Sequence, residues 1–314
     1  MSDEGWSEHE PVLLSETITL LEPRSDGLYL DGTLGGGGHA EAILDASSPG
    51  GRLIGLDRDP RAVERARTRL DRFGDRVELY EQNFAEIDGM PELASIRLDG
   101  ALLDLGVSSA QIDEKARGFS YQQDAPLDMR MGPRGEPARD LLARANIDDL
   151  TEIIRRYGEE RHARRIALAI VRERDRHPVE TTGRLREIVE RTVPRSGHPL
   201  KSVARVFQAL RIVVNEELEA LSSGLPQIAE RLVEGARLVV ISYHSLEDRI
   251  VKRYFRDLAA DCVCPPDFPV CRCDKRSEAV ILTPRPVTPE PSEAVRNPRA
   301  RSARLRAIER RAAA

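Results

Sequence analysis

The stretch Asp31-Gly32-Thr33-Leu34-Gly35-Gly36-Gly37-Gly38-His39 sets five glycines between two ionisable side chains in a chain of 314 residues. Glycines at that density let a backbone approach a bound molecule closely, and the amides of the helix that follows can face a polar group. A tight structural turn uses the same residues, so the run alone does not specify a ligand. Asp57 closes a second apolar run, Leu53-Ile54-Gly55-Leu56-Asp57, at the roughly twenty-residue spacing that nucleoside-binding folds require. An acid placed there accepts both hydroxyls of a ribose. Asp104 ends a third run, Gly100-Ala101-Leu102-Leu103-Asp104.

These acids bear on two classes of nucleoside ligand. A dinucleotide needs G-x-G-x-x-G spacing for its pyrophosphate, and Gly35-Gly36-Gly37-Gly38-His39-Ala40 supplies it only with Ala40 in the last place. Asp31 would also face the pyrophosphate as a like charge. An aminoacyl sulfonium ligand carries positive charge and no phosphate, so acids at three strand ends favour S-adenosylmethionine. A nicotinamide-dependent oxidoreductase stays as the alternative within enzymes.

Chemistry of this kind needs a frame that brings several strand ends to one edge. Short apolar runs predict strands at 28–31, 53–57, 77–81 and 100–104, with a helix over 60–73 that Asp59 caps and Pro60 opens. Strands alternating with helices give βαβ units, a parallel sheet and an α/β fold. Residues 113–137 are loop-like, with Gly118, Pro126, Gly132, Pro133 and Gly135, and 138–195 carry helical periodicity, as at 147–157 and 160–174. The expectation is a ligand-binding core from residues 1–112 and 204–314, with 113–203 as an inserted, mainly helical substrate-recognition subdomain. Helices at 204–221 and 226–233 lead back to a strand at 237–242. A last strand at 279–282 precedes a Pro-rich and Arg-rich tail.

Charge is distributed unevenly along this frame. The net charge is −5, yet residues 1–112 carry 10 basic and 22 acidic side chains, while 113–211 carry 21 and 16. Seven arginines crowd residues 296–311 against the single acid Glu309. Such asymmetry marks either a side that faces a polyanion or a solvated surface. The longest apolar runs, such as Leu238-Val239-Val240-Ile241, fall far short of the ~20 residues that span a bilayer, and residues 1–11 carry no apolar leader. A cytoplasmic protein without membrane association is expected.

Further motifs recur in order along nearly the whole chain. They are His9-x-Pro11-Val12-Leu13-Leu14-x-Glu16, Asp31-Gly32-Thr33-x-Gly35-x-Gly37-Gly38-His39 and Asp57-Arg58-Asp59-Pro60. Next come Leu103-Asp104-Leu105-Gly106-Val107-Ser108-Ser109-x-Gln111, Arg117-Gly118-Phe119-Ser120 and Pro126-Leu127-Asp128-Met129-Arg130-Met131. The series closes with Tyr157-Gly158-Glu159-Glu160-Arg161, Phe207-Gln208-Ala209-Leu210-Arg211, Ser242-Tyr243-His244-Ser245-Leu246-Glu247-Asp248-Arg249 and Asn297-Pro298-Arg299-Ala300-Arg301-Ser302. In these the chain resembles the small-subunit (16S) ribosomal RNA cytosine-N4 methyltransferases, the MraW or RsmH family. The resemblance implies a Rossmann-like class I methyltransferase sheet interrupted by a helical insert. It implies that Gly37, Gly38 and His39 contact the amino-acid part of S-adenosylmethionine, that Asp57 takes the ribose, that Phe84 lies by the adenine, and that Asp104 and Gln111 complete the pocket. The implied substrate is one cytosine in the decoding region of 16S ribosomal RNA, free or in the small ribosomal subunit.

The exocyclic amine of cytosine is a weak nucleophile, because its lone pair is delocalised into the ring. Alignment with the sulfonium methyl and acceptance of the amine's proton are what an enzyme can supply. Asp104, with Ser108 and Ser109 near it in sequence, is the candidate acceptor, and a carboxylate that only binds cofactor is its alternative role. The base must leave its stack, and Phe119, Tyr121 and Tyr243 are candidate stacking partners or else packing residues. His244 either contacts the substrate or lies in a segment where Ser245, with Asp248 three residues on, caps the next helix. Arginines of the insert and tail are expected on phosphates, so that removing residues 296–314 weakens RNA binding more than cofactor binding. An RNA-binding ribosome-assembly factor without catalysis is the alternative outside enzymes.

All four cysteines lie in Cys262-x-Cys264-x6-Cys271-x-Cys273. Four thiolates can hold a structural zinc, although C-x-C is tighter than the usual C-x2-C, and the methyl-transfer chemistry calls for no metal. Free thiols in a surface loop are the favoured reading, and a disulfide is disfavoured in a reducing compartment.

Overall fold

The computed structural model describes residues 11–264, 272–273 and 275–312. Contacts divide the chain into two compact units, residues up to Gly106 together with those from Ala220 on, and Val107–Glu219.

The first unit is built on seven strands, β1 Leu28–Asp31, β2 Arg52–Asp57, β3 Val77–Glu81, β4 Leu98–Asp104, β5 Leu232–Ser242, β6 Ala279–Ile281 and β7 Arg304–Arg310. Their order across the sheet is β3-β2-β1-β4-β5-β7-β6, with β1 to β5 parallel and β7 antiparallel to both neighbours. This is a Rossmann-like α/β sheet, as expected from the sequence. Its central strands read as unbroken apolar runs, Ala101 to Leu103 and Leu238 to Ile241, because helices cover both faces of a parallel sheet. Asp59 caps the helix Pro60–Leu70 by accepting from the Arg61 amide, and Pro60 opens it.

Three elements depart from the pattern in the sequence. The helix expected over 204–221 is two helices, Pro199–Asn215 and Glu217–Arg231, because Glu216 turns into the left-handed region at φ 51°. No helix starts at Pro226, which lies inside the second of these, and β5 begins at Leu232 where a helix to 233 was expected. The arginine-rich tail holds a strand. In β7, Leu305, Ala307 and Ile308 are buried, and the strand runs between β5 and β6, where its arginine content hid its apolar positions.

The second unit is helical, with Ile147–Gly158, Ala163–Arg174, Thr182–Thr192 and Pro199–Asn215 around one core. Its borders are Val107 and Glu219, where the sequence suggested 113 and 203, because Val203, Val206, Phe207 and Leu210 pack into that core. Phe119 and Tyr121 pack against the same core, Tyr121 edge-on to Phe207 at 5.4 Å between ring centres. The loop before it is braced. Gly118 has φ 69°, and a Cβ there would meet the Pro126 carbonyl at 2.2 Å. Asn215, buried, accepts from the Met131 amide (2.7 Å) and donates to the Met129 carbonyl (2.7 Å). No helix among the described residues is long and apolar enough to cross a membrane.

Candidate active site

Successive strands deliver their carboxyl ends to one edge of the first unit's sheet, the edge at which open α/β folds bind ligands. β1 ends in Asp31, β2 in Asp57 and β4 in Asp104, while β3 leads through Gln82 and Asn83 to Phe84. β5 ends at Ser242, and Tyr243 follows it. In register, Asp31 lies beside Gly55 of β2 on one side and Leu102 of β4 on the other.

The glycine turn is fastened by the acids around it. Asp57 accepts the Gly35 amide at Oδ2 (2.8 Å) and the Asp59 amide at Oδ1 (2.8 Å). Thr33 donates its amide to Asp31 Oδ1 (3.1 Å), and its Oγ1 accepts the Asp104 amide (2.6 Å). Gly37 takes φ 78° as the N-cap of the helix Gly38–Ala46, a conformation costly for any side chain. At Gly38 a Cβ would fall 2.5 Å from the Pro11 ring.

His39 and Tyr243 converge on Asp104. His39 Nε2 lies 3.0 Å from the Val12 carbonyl, which can only accept, so Nε2 carries the hydrogen and Nδ1 is a bare lone pair. That Nδ1 is 3.6 Å from Asp104 Oδ2. Burial holds the imidazole below its ordinary pKa, so this approach is not an ion pair but an acceptor facing a carboxyl oxygen. Tyr243 donates its hydroxyl to Asp104 Oδ1 at 2.8 Å. Burial and then the Asp104 charge push the phenol well above its usual range, which keeps it a donor. The sequence offered Tyr243 as a stacking or packing residue; the structure gives its hydroxyl to the strand-end acid.

Burial raises all three carboxyls, Asp31 to about 7, Asp57 to about 6 and Asp104 to about 7. Ionising them together costs free energy that an added cation would offset and an added phosphate would increase. A ligand with a sulfonium and an ammonium fits this edge on charge, and the amides already fixed by Asp57 leave the carboxylate further lone pairs for a diol.

Phe84 sits where two glycines make room for it. A Cβ on Gly32 would lie 3.2 Å from Phe84 Cβ, and one on Gly224 would lie 2.5 Å from its ring. Gln111 belongs to the helical unit, buried in the short helix Ser109–Asp113. Its Oε1 accepts the Ser108 amide (2.9 Å) and its amide donates to Ser108 Oγ (3.2 Å), a capping box.

The segment after β5 is capped differently from the Ser245–Asp248 expectation. His244 is the N-cap of the helix Ser245–Ala259, its Nδ1 accepting the Glu247 amide (3.3 Å). Glu247 Oε2 in turn accepts the Tyr243 (2.8 Å) and His244 (3.2 Å) amides. Asp248 is engaged by the tail, with Arg306 Nε at 2.6 Å from Oδ1 and Arg304 Nη1 at 3.2 Å from Oδ2. Burial works to raise this carboxyl, and the two guanidiniums overcome it and hold it below the usual range. Arg310 pairs with Glu278 at 3.0 Å. Arg306, buried against Asp248, therefore serves the fold and is withdrawn from the phosphate contacts expected of the tail, while Arg304 and Arg310 pair with carboxylates and stay part-exposed. Thr33 was missed in the sequence, and its signal was a hydroxyl two residues past a strand end. Of the cysteines, Cys262, Cys264 and Cys273 come together, and Cys271 lies outside the described residues.

The chain matches the model of the MraW methylase family over residues 6–311. A protein of Heliobacterium modesticaldum called ribosomal RNA small subunit methyltransferase H is 50% identical over 310 residues, covering 96% of this chain and 98% of its own. Proteins of the same name from Thermomicrobium roseum (50% over 304 residues, 96% and 93% covered) and Pelobacter propionicus (51% over 308, 96% and 98%) are similar to the same extent.

Proposed function

The chain belongs to the MraW methylase family, and from that premise we propose that it methylates N4 of one cytosine in the decoding region of small-subunit (16S) ribosomal RNA, in the cytoplasm. It is an S-adenosylmethionine-dependent methyltransferase. The small-subunit RNA as substrate is supported by relatives named for it at about half identity over nearly their whole length. The cytosine amine as methyl acceptor rests on one observation, the placement of Asp104. That carboxylate ends β4 with Oδ1 held by Tyr243 at 2.8 Å and its backbone held by Thr33 at 2.6 Å.

Bound S-adenosylmethionine supplies an electrophilic methyl. Asp104, at the end of β4, would take the proton that the cytosine amine loses on accepting that methyl. Oδ1 already accepts from Tyr243, so Oδ2 takes the proton, and the bare His39 Nδ1 at 3.6 Å faces that oxygen. Gly37, Gly38 and His39 hold the amino-acid part of the cofactor, Asp57 the ribose diol and Phe84 the adenine. Gln111 is kept as a cofactor residue on the resemblance, and the helical unit, proposed from the sequence as residues 113–203, recognises the RNA.

Transfer of a labelled methyl group to small-subunit particles, with the product nucleoside identified, tests the proposal. N4-methylcytidine made by the native chain and lost in Asp104→Asn is the expected result. A different methylated nucleoside sinks the cytosine assignment. Binding of RNA with no transfer by the native chain would favour an assembly factor.

A further inference from the structure

The connection between the helix Ser245–Ala259 and β6 contributes nothing to the methyl-transfer edge, yet it gathers three sulfurs. The Sγ atoms of Cys262, Cys264 and Cys273 all lie within 4.8 Å of one another, and Cys262 and Cys273 are 3.6 Å apart. A disulfide holds its sulfurs at about 2.05 Å, so the pair is not a disulfide. Four thiolates around zinc, each about 2.3 Å from the metal, have edges of about 3.8 Å, close to the spacing seen.

The backbone around them is arranged for negative sulfur. Cys262 Sγ accepts the Cys264 amide at 3.3 Å, Cys264 Sγ accepts the Arg272 amide at 3.4 Å, and Cys273 Sγ accepts the Val263 amide at 3.4 Å. Each of the three sulfurs thus receives one amide hydrogen, and two of these bonds cross from one C-x-C pair to the other. Amide donors aimed at every sulfur are the outer layer that orients and stabilises metal-bound thiolates. Three unrelated thiols in an exposed turn have no reason to acquire it. Cys262 is exposed and the other two are half-buried, so an ion has access.

We infer that Cys262, Cys264 and Cys273 form a thiolate site for one zinc ion, which clamps the chain between the helix Ser245–Ala259 and β6. The sequence favoured free thiols in a surface loop, and the proposal departs from that reading because convergence and amide donation come from the fold and not from the spacing. The ion's role is structural. It closes a loop whose far side is already tied by the Glu278 amide to the Leu258 carbonyl at 2.8 Å, which lowers the entropy cost of holding β6 at the sheet edge.

The full chain, purified under reducing conditions and exchanged against zinc, is expected to hold about one ion per chain by mass spectrometry. Replacing zinc by cobalt(II) is expected to give the visible bands of a tetrahedral thiolate site. The double variant Cys262→Ser/Cys273→Ser is expected to lose the ion to a chelator at a concentration at least about tenfold lower. Should that variant fail to fold, cobalt titration of the chelator-stripped native chain reads the same thiolates. A native chain that stays free of zinc, one that carries an iron–sulfur chromophore or a disulfide there, or a double variant that keeps its zinc each overturn the site.

Discussion

The sheet unit and the helical unit handle charge in opposite ways. In the sheet unit the decisive charges are withdrawn from water: Asp31 is buried and Asp57 and Asp104 half-buried along the strand ends, and Asp248 is buried with Arg306. In the helical unit the arginines ride on helices whose other faces are apolar. Leu150, Ile154, Ile166 and Ile170 turn inward, while Arg155, Arg165 and Arg172, with Arg161 in the turn between the two helices, are exposed. The tail looks like the insert in composition and behaves like the sheet. A count of arginines cannot tell the two apart, because the period of the apolar residues between them decides which arginines meet water. A buried charge shapes fold and chemistry, whereas an exposed one is available for a polyanion.

This contrast sets the scale of what substitutions should do. The largest effect is expected in the tail. Arg306→Ala leaves Asp248 buried with half its partners and should lower stability by about 3 kcal/mol in urea unfolding. Removing residues 296–314 takes β7 from between β5 and β6 and should abolish the folded chain altogether. A truncated chain that folds, binds cofactor and merely loses RNA would return the tail to the same class as the insert.

Next comes the acceptor itself. Asp104→Asn keeps the shape and removes the base, so methyl transfer should fall by about a hundredfold or more. Calorimetry should find S-adenosylhomocysteine affinity changed far less than turnover. Equal losses in both would make Asp104 a cofactor ligand only.

On the exposed side, replacing Arg155, Arg161, Arg165 and Arg172 together by Glu should leave the melting curve nearly in place. Its effect belongs in RNA binding, where the slope of log affinity against log salt should shrink by about 3 if all four face phosphates. An unchanged slope would take these helices out of the RNA contact.

Smaller effects concern the acids' protons. Tyr243→Phe removes a hydrogen bond that favours ionised Asp104, so transfer should drop about three- to tenfold below pH 7 and recover at higher pH. A uniform loss at all pH values would mean packing alone. The carboxyls also make stability depend on pH. Their folded pKa values lie above the unfolded value of 3.8, so the folded chain binds more protons in that interval, and stability falls as pH rises from about 4 to 7. S-adenosylmethionine, with its sulfonium, should counter this loss more than S-adenosylhomocysteine does, by a few degrees in thermal melts at pH 7 and above. Equal protection by the two would argue that the acids do not face the sulfonium.

Much of the frame was legible from residues alone. Asp59 before Pro60, the unbroken apolar run 238–241 and the glycines after Asp31 are local signals, and each has one structural solution that depends little on the rest of the chain. The same holds for which acids end the strands, since strand length and polarity fix that. The tertiary structure decided the pairings. That Asp104 takes a hydroxyl from Tyr243, that Asp248 takes Arg306, and that three sulfurs converge with an amide hydrogen on each all depend on which segments fold side by side. Sequence spacing carries no record of those distances, because burial and strand order, not neighbours in the chain, bring the partners together.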